Sequence, residues 1–189
     1  MRKTMIILVL TSLFVFLLPN LSFSQKNAPT DPMSVKSWTL SFTFGQGTHF
    51  WGNGVGFGPA TKIAFETGMW QLGPGVLTLG GEFNMSYFWH KYYSDYKENW
   101  TNFMFGVRSA YHYSWKVKGL DTYAGVPLGM GFSLYSHADH QGYKGYNGVY
   151  PYFGIFFGAS YYFNNVLGVN GEVGYNATYA NLGLILKLR

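Results

Sequence analysis

Six charged residues recur with one parity in alternating stretches of the chain: Lys62, Glu66, Glu82, Arg108, Glu172 and Lys187, three of each sign, with His112 close by. Glutamates so placed would do acid–base work if a cleft admitted a substrate. With cations on the same face, mutual pairing is the stronger expectation, because burying a charge alone is costly. His112-x-Ser114 sets a base and a nucleophile two residues apart, on one side of a strand. His137-x-Asp139-His140 offers two imidazoles and a carboxylate, ligand types that suit zinc or copper. No fourth ligand or supporting partner is identifiable beside them, so solvated loop residues are the expectation and no metal or other cofactor is assigned. Phe50, Trp51, Tyr92, Tyr93, Tyr96, Tyr143 and Tyr146 lie among Gly, Asn, Ser and His. Such a mixture makes a recognition surface, and it equally suits an interfacial aromatic girdle.

The elements that must position these residues are strands. From Pro151 to Leu188 three segments alternate with a period of two. One face of each is wholly apolar, as in Leu182, Leu184, Leu186 and Leu188, and the other is polar and glycine-rich. Each runs about 9–13 residues, the length a tilted strand needs to cross a bilayer. The same pattern extends upstream. Strands are expected at Lys36–Gly45, Thr61–Trp70, Val76–His90, Thr101–Trp115, Asp121–Tyr135, Pro151–Phe163, Leu167–Ala177 and Ala180–Leu188. Long connections fall at 46–59, 91–100 and 136–149, and short turns lie between the other strands. Pro127 removes a ladder donor mid-strand, which predicts a bulge.

Composition points the same way. Aromatic residues make up 21% of the 189 and charged residues only 11%, against about 25% charged in a soluble domain. Beyond the N-terminus no run approaches the roughly 18 apolar residues of a membrane helix. A membrane chain without helices must close its strands into a barrel to satisfy its backbone in lipid. Arg2 and Lys3, the apolar run Met5 to Leu18 and the small residues Ser22 and Ser24 read as a secretory signal peptide. The expected organisation is a signal peptide at 1–24, a flexible lead-in at 25–34 and the barrel domain at 35–189. The formal net charge of +5 is scattered and gives no nucleic-acid footprint. With no cysteine there is neither a disulfide nor a thiolate nucleophile.

The pattern resembles the small eight-stranded outer-membrane barrels of the OmpA/OmpX type and, more closely, the porin-family barrel domains common in Bacteroidetes. Carrying the likeness are Gly158, Tyr161, Tyr162 and Phe163; Gly168 to Tyr175 with Glu172; Asn181 to Leu184; and Tyr123 to Val126. The resemblance implies an all-β, eight-stranded antiparallel up-and-down transmembrane barrel in the outer membrane of a Gram-negative bacterium. Implied partners are outer-membrane lipid, lipopolysaccharide and the barrel-assembly machinery, with a monomeric state. An eight-stranded interior is just wide enough for side chains to fill, so the inward charges are expected to plug it. The expected role is structural or surface recognition and adhesion through the aromatic loops. The alternatives are a narrow ion or solute channel and a lipid A-modifying enzyme. His112-x-Ser114 is similar to part of the site of lipid-deacylating barrels, and His90, His137 and His140 sit toward the rim where acyl-transferring barrels act. No serine–histidine–acid set is evident there, so no catalysis is expected.

Overall fold

The computed structural model describes residues 32–47, 55–92, 96–115, 117–137 and 148–189. The leader and residues 25–31 of the lead-in lie outside them. Nine strands follow in order: β1 Trp38–Gly47, β2 Val55–Leu72, β3 Gly75–Tyr92, β4 Tyr96–Ser114, β5 Leu120–His137, β6 Gly148–Phe153, β7 Ile155–Tyr162, β8 Leu167–Tyr175 and β9 Thr178–Lys187. Each pairs antiparallel with its neighbours. The β1–β9 and β4–β5 ladders close the sheet on itself. No helix among the described residues is long and apolar enough to cross a membrane.

β6 and β7 are one barrel strand interrupted at Gly154, so the closed barrel has eight staves. The pairs Leu128↔Phe153 and Gly125↔Phe156 keep a single register across the gap, which sets Pro127 against Gly154. The bulge expected at Pro127 does not form. The missing proline N–H interrupts the ladder instead, and Arg108↔Pro127 stays in register on the other side.

The two faces sort as the alternation requires. Leu182, Leu128 and Phe153 stand outward at 66%, 64% and 71% exposure, with Phe105, Val107, Phe157 and Leu184 beside them on an apolar outer surface. Inward, polar residues such as Thr43, Asn84 and Ser160 are buried. This inversion of a soluble protein suits lipid outside and a filled interior.

β2 to β5 run 18 or 19 residues, well past the expected limits. The connection expected at 46–59 is therefore shorter, since β2 already begins at Val55. Tyr92 and Tyr96, expected in a loop, are paired to each other at the ends of β3 and β4. At the opposite end the turns are tight. Gly73 takes φ 57° between β2 and β3, a left-handed conformation that a glycine adopts without strain. Between β7 and β8, Asn164 Oδ1 accepts from the amides of Val166 and Leu167, each at 2.8 Å.

The lead-in is not free along its whole length. Pro32, Met33 and Ser37 are buried, and the segment forms a strap at the turn-side mouth. The Lys36 amide donates to the Gly68 carbonyl at 2.8 Å, and the Gly68 amide donates to the Ser37 carbonyl at 3.0 Å. A methyl on Gly68 would lie 2.1 Å from the Ser34 carbonyl oxygen. Gly68→Ala must therefore push the strap away, at an expected cost of about 1–3 kcal/mol in urea unfolding. A loss below about 0.5 kcal/mol, the range of an ordinary surface change, would show that the strap is not held there.

Candidate functional site

The lumen centre is a charged cluster built around Arg108 on β4, whose side chain is 2% exposed. Its Nη1 donates to Glu82 Oε2 at 3.1 Å and its Nη2 to Glu172 Oε2 at 3.0 Å. Its Nε lies 2.7 Å from Glu66 Oε1, a charge contact not aligned as a hydrogen bond. Lys62 donates to Glu172 and stands 4.0 Å from Glu82. One guanidinium thus gathers carboxylates from β2, β3 and β8. The guanidinium carbon also sits 4.0 Å from the centroid of the Phe156 ring, which forms an apolar floor beneath it.

Neutral groups complete the cluster. Asn84 Nδ2 donates to Glu82 Oε1 at 2.9 Å, and the Tyr152 hydroxyl donates to the same oxygen. Thr78 Oγ1 donates to Glu66 Oε2 at 2.5 Å. Asn170 Nδ2 donates to the Tyr123 hydroxyl at 2.7 Å and to Ser160 Oγ at 2.9 Å.

Toward the turn-side mouth, His112 lies between two carboxylates. Nδ1 is 2.7 Å from Asp121 Oδ2, and Nε2 is 3.0 Å from Glu66 Oε2. An imidazolium satisfies both contacts, because both of its nitrogens donate. The ring stacks on Tyr123 with centroids 4.8 Å apart. A cavity of about 190 Å³ separates His112 and Ser114 from the strap residues Met33 and Ser34.

Five of the six expected lumen residues, Lys62, Glu66, Glu82, Arg108 and Glu172, come together. Lys187 does not join the Arg108 cluster. It is half-buried near the end of β9, and its charge acts on Asp121. Asp121 was not among the expected inward charges, although its parity matches Gly125 and Gly129 on the same strand. It is the first residue of the strand expected at Asp121–Tyr135, where the alternation has only just begun. Phe50, Trp51, Tyr93, Tyr143 and Tyr146 lie outside the described residues, as do Asp139 and His140. Tyr92, Tyr96 and His137 are backbone members of strand ends. No group of three ligating side chains suits a metal ion among the described residues. His112 and Ser114 share the inward face, but the histidine is buried with both nitrogens engaged.

No family model matches the chain, and no curated protein does. Among solved structures the chain is similar to Ail. Ail is the attachment invasion locus protein of Yersinia pestis. The match has 7% identity and a TM-score of 0.39, and covers 82% of this chain and 96% of that one. A second structure of Ail, in complex with the heparin analogue sucrose octasulfate, matches with 9% identity and a TM-score of 0.38, covering 80% and 94%.

Proposed function

We propose that the protein is an integral outer-membrane barrel of a Gram-negative bacterium, with a closed interior and a structural or surface-recognition role. The observation that carries this reading is the packed lumen. Arg108, Lys62, Glu82 and Glu172 are all buried and mutually paired, where a water-filled channel would expose them. Membrane insertion follows from the apolar outer surface, since no soluble surface would present so many exposed Leu, Val and Phe side chains.

The recognition role rests on strand length. A tilted strand crosses a bilayer in about 9–11 residues, and β3, β4 and β5 reach 18, 19 and 18. The surplus carries the far ends of β3, β4 and β5 beyond the membrane surface. An extracellular ligand would be met at that end of the barrel, with lipopolysaccharide around the barrel and the assembly machinery acting on insertion. A monomer suffices for this role. Catalysis has no part in the reading, because the His112 ring is held between Glu66 and Asp121 and meets no lipid.

Refolding the protein into a planar bilayer tests the closed interior. Insertion without steady current is the expected result. Steady current, altered by substitution at Glu82 or Arg108, would establish a channel instead.

A further inference from the structure

Among the described residues, the exposed charged side chains on the turn-side rim of the barrel are all basic. Lys36 in the strap, Lys118 in the β4–β5 turn and Arg189 after β9 are all exposed. None has an acidic side chain within ion-pair distance among the described residues. The carboxylates near this end, Asp121 and Glu66, are buried and committed to His112 and Arg108. They do not offset the rim.

The bases occupy two sectors. Lys36 and Arg189 are neighbours at the β1–β9 seam, where the Trp38 amide donates to the Arg189 carbonyl at 3.2 Å. Lys118 stands across the mouth, since the β4–β5 edge lies four staves away around the barrel. The β2–β3 and β7–β8 turns between them carry Gly73-Pro74 and Asn164-Asn165, with no charge.

Tryptophans mark the same level. Trp38, Trp70 and Trp115 are each about half exposed, at the start of β1, near the end of β2 and just past β4. Exposed indoles at strand ends belong at the boundary between acyl chains and headgroups. Lys36 is two residues from Trp38, and Lys118 is three from Trp115. Their flexible stems therefore end among the headgroups and not in open solution.

We infer that this rim is a basic collar that binds the phosphate headgroups of anionic phospholipids in the leaflet around the turn-side mouth. The inference rests on the membrane reading given above. Unpaired cations beside interfacial tryptophans attract anionic lipid over zwitterionic lipid, and screening by salt weakens the preference. Headgroups held at the seam and across the mouth would fix the depth and tilt of the barrel from that side.

The test is to refold the full chain into vesicles of phosphatidylcholine alone or with one-fifth phosphatidylglycerol. Either lipid carries brominated acyl chains in turn, and quenching of tryptophan emission reads which lipid lies against the barrel. The expected result is insertion in both compositions and about a threefold preference for phosphatidylglycerol, falling toward one in 0.5 M salt. The triple variant K36Q/K118Q/R189Q should insert equally and lose the preference. Insertion with a quenching ratio of one, or a preference that the triple variant retains, overturns the collar alone. Failure to insert in either composition overturns the membrane reading and the collar with it.

Discussion

Arg108→Leu is expected to lower the unfolding free energy of the refolded barrel by about 3–5 kcal/mol, the range for breaking one partner of a buried ion cluster. The substitution removes the group that meets Glu66, Glu82 and Glu172 at 2.7, 3.1 and 3.0 Å. Lys62 remains, but it reaches only Glu172 closely and stands 4.0 Å from Glu82. Glu82 is left without a cation of comparable geometry, and Glu66 keeps only His112 at 3.0 Å. Adding Glu66→Gln and Glu82→Gln to Arg108→Leu removes the carboxylates that lose the guanidinium and should recover more than half of the loss. Urea unfolding in one detergent compares the three proteins. Equal losses in the single and triple variants would assign the effect to the guanidinium packing on Phe156 and not to charge.

The second large effect belongs to the outer face. Leu184→Arg is expected to cost about 2–4 kcal/mol, the penalty for a cation on the lipid side near mid-depth. Leu184 pairs with Phe42 on β1 and Val169 on β8, and is 53% exposed to the exterior. Phe42 lies four residues along β1 from the interfacial Trp38. That offset places the row well inside the hydrocarbon. Leu72→Arg gives the contrast. Leu72 is similarly exposed but closes β2 at the turn, where a charge reaches headgroups and should cost about 0–1 kcal/mol. Folded fractions across a urea series, read by heat-modifiable migration, measure both variants. Similar costs at the two sites would mean that the belt is drawn at the wrong depth.

Which residues face inward was legible wherever lipid bounds the strand. Between Trp38 and Phe44, or Ala180 and Leu188, every second side chain must be apolar, and that demand writes the period into the sequence. Outside the hydrocarbon both faces of a strand are wet and the demand lapses. That is why the start of β2 at Val55 and the reach of β3 and β4 to Tyr92 and Tyr96 could not be read. Five cluster members were legible by parity. The convergence of three glutamates on Arg108 was not, because alternation gives a side of the sheet and not a height along the barrel axis. Tyr152 and Tyr123 were hidden for another reason. Tyrosine serves as readily on the lipid face, as at Tyr175, as in the lumen, and its hydroxyl partner is visible only once the strands are laid side by side. The strap escaped notice because Pro32 signals a break in regular structure, and nothing local tells that Gly68 and Ser37 will hold the segment down.

The seam between β1 and β9 has a kinetic meaning. Thr39 pairs with Lys187 and Phe44 with Leu182, so this ladder joins residues from nearly opposite ends of the folded sequence. Most other ladders join consecutive staves through hairpins and can form locally. Only the seam requires the whole intervening chain to be in place, and its closure carries the largest loop entropy. Until it forms, the growing sheet has two bare edges, and bare edges cannot stand in hydrocarbon. Insertion and the last pairing step are therefore one event. Slowing the zippering of Phe42 against Leu184 would delay membrane entry of the entire protein, not of one strand.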